Sequence, residues 1–247
     1  MRLTRIHVSA PPQAGGACTV RGEAANHLAR VLRLEVGDTL EVFDGEGGEY
    51  SGRIEAMRKG EVQVALGPRR EGLTESSLQL TLAQGISRGE RMDWVVQKAV
   101  ELGVTRIVPV LTERSVVRLD AEQARHKQRH WHGVAVAACE QSGRSRLPTI
   151  DLPQPLPMFF AALGAGAGTG TLRVLANPQA HTGLAALPAT AEQVLVLIGP
   201  EGGLAAAEIH AAVEHGFLCV RLGPRVLRTE TAAVAVLALL QQRFGDL

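Results

Sequence analysis

The sequence predicts an α/β protein in two parts: a small N-terminal β-barrel, then a larger parallel sheet with helices on its faces. Three observations carry this. Residues 3–68 are dense in short alternating runs broken by glycine and aspartate turns. From Leu78 onward, apolar strand-like runs alternate with longer helical patterns. Two of those runs, late in the chain, open onto glycine loops and then onto helices. At 247 residues there is chain enough for one large or two modest domains with real cores.

In the first part, residues 5–8, 39–43, 50–54 and 61–66 alternate polar with apolar side chains, as half-buried strands do. Gly37-Asp38, Asp44-Gly45 and Gly47-Gly48 turn the chain between them, and one short helix is expected over 24–33. Residues 68–75, charged and poor in apolar side chains, read as a linker, which places the domains at 1–70 and 76–247. In the second part LQLTLAQGI from Leu78, RIVPVLT from Arg106, LRVLAN from Leu172, VLVLIG from Val194 and FLCVRLG from Phe217 are strand candidates. Helices are expected over 92–102, 121–141, 204–215 and 231–243, and the Gly/Ala stretch 164–170 reads as a loose surface connection.

Composition narrows the function classes. Hydrophobic residues make up 45% and charged residues 21%, as in ordinary globular chains. No stretch approaches the ~18 uncharged apolar residues of a membrane span, and the apolar run 232–240 is better read as a core or interface helix. Aromatics are only 3%, which argues against recognition on banks of stacked bases. A net charge of +1 leaves any polyanion binding to local clusters among the 26 Lys and Arg residues. Cys18, Cys139 and Cys219 form no CxxC pair, and the opening MRLTRIHVSAPP holds no apolar run of signal-peptide length; a reduced, cytoplasmic protein is expected.

The site is expected at the two glycine loops. The run ending at Ile198 stops at Gly199-Pro200-Glu201-Gly202-Gly203, and the run ending at Leu222 stops at Gly223-Pro224. Strand ends that open onto such loops are where α/β sheets bind ligands, because glycine lets the backbone approach closely and offer its own N–H and C=O groups. Neither loop is GxGxxG or GxxxxGK[ST], so the dinucleotide and P-loop readings lose their main support. One such loop alone would be a tight β–α turn. Two of them, flanked by Glu201 and by Arg225, Arg228, Thr229 and Glu230, mark a site.

GPEGG followed by LGPRVLRTETA resembles the C-terminal signature of the RsmE family, ribosomal RNA uridine-N3 methyltransferases of the SPOUT superfamily. HLARVLRLEVGD from His27, SRGERMDWVVQKAVELGV from Ser87, ERSVV from Glu113 and AACEQSGRSRLP from Ala137 continue the resemblance, in the family's order, over nearly the whole chain. It implies methyl transfer from S-adenosylmethionine to N3 of a uridine in the decoding region of 16S rRNA. It also implies a PUA-like barrel in the first part, a trefoil knot near the C-terminus, a homodimer and no metal.

Cofactor contacts are expected from Leu197, Ile198, Gly199, Gly203, Leu222, Gly223, Leu227 and Thr231, and from Leu175 and Asn177 in the loop that resembles the first knot loop. The same positions would otherwise be plain core and turn residues. Arg228 and Glu230 are the catalytic candidates, the one to polarise a uracil carbonyl and the other to accept a proton; Glu230 reads equally well as a helix-end carboxylate, and Thr229 as a cap. Glu201 reads better as a residue fixing its loop through N–H contacts. RNA contacts are expected from Arg21, His27, Arg30 and Arg33, with the last three at helical spacing, from Arg88 and Arg91, and from Arg144 and Arg146. His126, His130 and His132 read as a solvated basic face rather than a metal site, and Lys98 with Glu101 as a surface pair. Two other functions fit less well: a ribose 2′-O methyltransferase of the same superfamily, and a non-catalytic RNA-binding or assembly protein.

Overall fold

The structure, a computed structural model, describes residues 3–9, 16–72, 75–163 and 170–247. The chain divides into two compact units: Met1–Glu75 with Cys139–Leu147, and Ser76–Ala138 with Pro148–Leu247. The short excursion 139–147 therefore belongs to the first unit, which a cut of the chain at a single linker does not anticipate.

The first unit is an open half-barrel sheet in the order β1-β3-β4-β5-β2. Its strands are β1 (Arg5–His7), β2 (Ala17–Arg21), β3 (Thr39–Phe43), β4 (Gly48–Arg58) and β5 (Glu61–Glu71). β1 runs parallel to β3, and the other pairs are antiparallel. Alternation along β4 buries Tyr50, Gly52 and Ile54 on one face, where they meet Val62, Val64, Leu40 and Val42. β5 continues to Glu71, so the first half of the expected linker is strand: Arg69 and Arg70 pair with Tyr50 and Glu49 across the hairpin, and backbone pairing outweighs their polar character. β2 escapes a pattern reading because five residues with one fully buried side chain make too faint a signal.

The expected helix at 24–33 is α1 (Gly22–Asn26) running into a π-turn, His27–Val31, closed by Leu32 N–H to His27 O at 3.0 Å. Arg33 follows in the left-handed region at φ 54°. His27, Arg30 and Arg33 are all exposed, but they do not share one face of a continuous α-helix, because the π-turn and the Arg33 conformation change the angular spacing.

The excursion 139–147 is held by charge and by backbone. Glu75 grips Arg144 Nη2 at 2.8 Å and accepts the N–H groups of Ser145 and Arg146 at 3.1 and 3.0 Å. Arg5, which pairs with Glu41 and Glu49, donates to Ser145 Oγ at 3.0 Å. Arg144 is buried, so its guanidinium is committed to Glu75 and the expectation that it faces RNA is corrected; Arg146 is exposed.

The second unit is a parallel sheet in the order β12-β10-β11-β6-β7-β8, with β9 against β7. β6 (Gln79–Gly85), β7 (Arg106–Leu111), β10 (Thr171–Ala176), β11 (Gln193–Ile198) and β12 (Leu218–Val220) fall where the strand patterns lie, with β8 (Thr149–Ile150) and β9 (Gln154–Pro155) added at the edge. Burial along β11 is continuous from its second residue, as expected of a strand covered on both faces. On one side α2 (Glu90–Glu101) packs on α6 (Thr229–Phe244), and Val96 and Val100 of the one and Val236 and Leu240 of the other are buried. On the other, α4 (Leu156–Leu163) and α5 (Ala206–Glu214) enclose a core with Phe159, Phe160, Phe217, Leu195 and Leu197. α4 is an addition to the expected elements: its run LPMFFAAL is apolar nearly all round and carries no 3.6-residue stripe.

α3 (Ala121–Ser142) starts where expected, and its first turn is capped by Asp120, whose Oδ1 accepts the N–H of Gln123 at 2.8 Å. His130 and Trp131 of this helix both turn to Asp93, at 2.8 and 3.0 Å. Lys98 pairs with Glu101 at 2.8 Å. The stretch 164–169 lies outside the described residues. Among the described residues, no helix is long and apolar enough to cross a membrane.

Candidate functional site

Three strands of the second unit, β10, β11 and β12, end side by side and send their connections over the same edge of the sheet. Between these connections lies a cavity of about 480 Å³, a size suited to a small organic ligand. Its walls are residues 175–179 at the end of β10 and just past it, 198–204 from the last residue of β11 onward, and 226–230 with Ala232, which lead into the first turn of α6. Arg91 of α2 and Arg114, just beyond β7, complete the rim.

The loop after β11 owes its shape to its glycines. Gly203 has φ +67°, a conformation that side chains disfavour. A Cβ on Gly199 would sit 3.0 Å from the carbonyl carbon of Gly203, so the loop closes on itself only without one. Glu201 ties the loop to α2 and the residues before it, accepting Arg88 N–H and Arg91 Nη1, each at 3.0 Å. Partial burial opposes its charge, but the hydrogen bonds from the Arg88 and Glu201 amides and from Arg91 outweigh that and hold the carboxyl below its usual range. Arg114 Nη1 adds a bond to Gly202 O at 3.2 Å.

The loop after β10 is laced to β12 and to Arg221 just past its end. Asn177 N–H donates to Val220 O at 2.9 Å, Arg221 N–H to Thr182 O at 2.8 Å, and Thr182 Oγ1 to Cys219 O at 2.7 Å. The start of α6 then returns to the β11 loop: Thr229 Oγ1 donates to Gly199 O at 2.6 Å, and Gln84 Nε2 of β6 donates to Thr229 Oγ1 at 3.0 Å. Glu230, in the first turn of α6, lines the cavity with its Oε2 buried and without a hydrogen-bond partner. A buried acceptor without a partner carries a desolvation cost, and at a cavity wall it is a place for a ligand donor.

The structure thus brings together Leu175, Asn177, Ile198, Gly199, Gly203, Leu227, Arg228 and Glu230. It does not bring Leu197, Leu222, Gly223 or Thr231 to this cavity. Alternation along β11 sends Leu197 into the core while Ile198 faces the cavity. Leu222 lines a smaller neighbouring recess, and Gly223 turns the chain at φ +80°. Thr231 points outward from α6, and Thr229 and Ala232 take the place expected of it. Arg91, expected on RNA, is paired with Glu201. Arg114 is absent from the sequence-based candidates, although its position just past the carboxyl end of β7 follows the same rule that finds the glycine loops.

A methyltransferase acting on RNA is the class to which this fold and cavity belong. The family model described as RNA methyltransferase domain matches residues 74–241, and that described as RNA methyltransferase PUA domain matches 20–66. A methyltransferase structure from Legionella pneumophila, in complex with bound cofactor SAM, is 39% identical, with 100% of both chains covered and a TM-score of 0.94. The ribosomal RNA small subunit methyltransferase E of Neisseria gonorrhoeae, bound to S-adenosyl methionine, is 31% identical with 99% of each chain covered and a TM-score of 0.89. The protein of that name from Buchnera aphidicola is 30% identical over 246 residues, covering 100% of this chain and 98% of its own. The chain belongs to the ribosomal RNA small subunit methyltransferase E family, with an RNA methyltransferase domain of α/β architecture and a PUA domain.

Proposed function

We propose that this chain transfers the methyl group of S-adenosylmethionine to N3 of one uridine in the decoding region of 16S rRNA, acting in the cytoplasm as a homodimer on the small ribosomal subunit. One observation carries the reading: a cavity walled by three loop backbones, with Arg228 and the unpartnered Oε2 of Glu230 at its wall, in a chain similar along its whole length to enzymes of that name. The cavity suits a nucleoside cofactor. Leu175, Ile198 and Leu227 offer apolar walls, and the Gly199–Gly203 turn offers main-chain groups. Bound there, S-adenosylmethionine supplies an activated methyl carbon.

The protein must then position the uracil and take the N3 proton, because N3 is a poor nucleophile while it keeps that proton. Arg228 polarises a uracil carbonyl and spreads the negative charge that develops on the ring. Glu230 Oε2 accepts the proton, a role typically worth about 10²- to 10⁴-fold. Arg21, Arg30, Arg33 and Arg146 on the first unit and Arg88 on the second are exposed cations for phosphate, and exposed His27 is a further hydrogen-bonding group for RNA. The lacing of 177–183 to 219–221, with the return of Thr229 to Gly199, supports a knotted chain. Exposed Val226 and Leu239 are apolar groups that a second copy would cover.

Mapping of modified bases in 16S rRNA from cells lacking the protein tests the reading. One N3-methyluridine should vanish from the small subunit, with tRNA unchanged. Loss of a ribose 2′-O-methyl group instead would favour the alternative chemistry. Calorimetry showing no heat at millimolar S-adenosylmethionine would favour a non-catalytic RNA-binding protein.

A further inference from the structure

β6 reads QLTLAQG, and its penultimate residue is polar in a strand covered on both faces. Gln84 is fully buried, and its Nε2 donates to Gly85 O and to Thr229 Oγ1, each at 3.0 Å. The direction of the bonds is fixed by elimination. Gly85 O can only accept, and the Thr229 hydroxyl spends its hydrogen on Gly199 O at 2.6 Å, so toward Gln84 it too must accept. The amide NH₂ is the group that serves both acceptors at once. Its Oε1 has no partner, which is a desolvation cost that an apolar residue here would avoid.

The relay joins three segments far apart in sequence: the end of β6, the first turn of α6 and the glycine loop after β11. Thr229 and Gly199 both line the cavity, whereas Gln84 does not touch it. The adjacent residue repeats the coupling by shape, because a Cβ on Gly85 would lie 2.4 Å from Pro200 N and 2.8 Å from the carbonyl carbon of Gly199. The end of β6 therefore fixes where the β11 loop and the α6 start meet.

We infer that Gln84 is a positioning residue for cofactor binding: through Thr229 it locks the 199–203 loop and the first turn of α6 in their cofactor-ready spacing. Its worth is pre-organisation, since loops ordered beforehand need not be ordered on binding. The inference rests on S-adenosylmethionine being the cofactor, and the test separates the two. Titration calorimetry with S-adenosylmethionine on the full chain is run for the wild type, Q84E, T229V and T229S, with hydrogen exchange on the free proteins. Q84E keeps the shape but sets a carboxylate against two acceptors, and T229V removes only the hydroxyl. Each is expected to weaken cofactor binding tenfold or more and to speed exchange in 199–204 and 226–230 while amides of β3–β5 are unchanged. T229S, which keeps the relay, should recover most of the affinity lost in T229V. A wild type that binds no S-adenosylmethionine overturns the functional reading instead. If T229V binds like the wild type, or T229S is as weak as T229V, the relay has no positioning role. Should Q84E fail to fold, the threonine pair decides.

Discussion

Substituting Gly85 with alanine adds one methyl group where the chain has no room for it. The new Cβ would stand 2.4 Å from Pro200 N, 2.5 Å from Pro200 Cδ and 2.8 Å from the Gly199 carbonyl carbon. Two of these are main-chain atoms, so no side chain can swing aside. Comfortable contact begins near ~3.5 Å, so the Gly199-Pro200 peptide must retreat from β6 by about 1 Å. Gly85 also pairs with Val110 in a central strand, which hinders β6 from moving instead. Overpacking of this kind costs roughly 1–3 kcal/mol of stability. The functional effect should be larger in proportion, because a misplacement of about 1 Å can cost on the order of 10²-fold in rate. At ~1.36 kcal/mol per decade, that is about 2.7 kcal/mol of transition-state stabilisation. Cofactor affinity by calorimetry and methyl transfer to 16S rRNA should both fall, beside a modest drop in thermal midpoint. G133A is the control: that glycine is exposed in α3 with nothing within 4 Å of its would-be Cβ, so alanine should stabilise by about 0.5–1 kcal/mol and leave transfer alone. G85A with wild-type affinity and rate would refute the claim that the end of β6 sets the loop.

E230Q removes the proton acceptor while keeping the side chain's shape; methyl transfer should fall by about 10²- to 10⁴-fold while cofactor affinity changes little, and equal rates would assign Glu230 to the helix end alone. Arg33 holds a left-handed φ of 54°, a conformation that costs a non-glycine residue roughly 1–2 kcal/mol, so R33G should match or exceed the wild type in stability. The same variant should bind 16S rRNA more weakly, with a salt slope smaller by about 1; an unchanged slope removes Arg33 from the RNA contact. Burial raises the carboxyl pKa of Glu140 above 4.5, against the opposing pull of the His7 N–H and of nearby His27 and Arg5. A carboxyl raised in the folded state binds more protons there than in the unfolded chain, so its contribution declines as pH climbs from the unfolded value through the folded one. E140Q keeps an acceptor for His7 N–H and should gain on the wild type across that interval, whereas parallel stability curves would contradict it.

The carboxyl ends of β10 and β11 are legible in the sequence because runs rich in apolar residues stop there at turn dipeptides, Asn177-Pro178 and Gly199-Pro200. Glycine and proline act on their own backbone, so their meaning is local and survives without the fold. The resemblance carries the remaining names, Arg228 and Glu230 among them, because its motifs are runs of neighbouring residues. Other positions depend on which way a side chain turns or on what lies across space from it. Leu197 and Ile198 differ only by the alternation that sends one to the core and the other to the cavity. Thr231 and Thr229 differ only by two steps around a helix whose start shifts with its packing. Arg144 and Arg146 look alike in QSGRSR, yet Glu75 takes the guanidinium of the first into the protein and leaves the second exposed.

By itself, the sequence determined most of the strands and longer helices, where the glycine loops stand, and to which family the chain is similar. The tertiary structure alone decided that α4 covers the sheet, that 139–147 joins the first unit, and that Gln84, Thr229 and Gly199 form one relay. The physical reason is range. Periodicity and turn chemistry are set within a few bonds, whereas a hydrogen bond between residues 145 positions apart exists only after the sheet has brought them together.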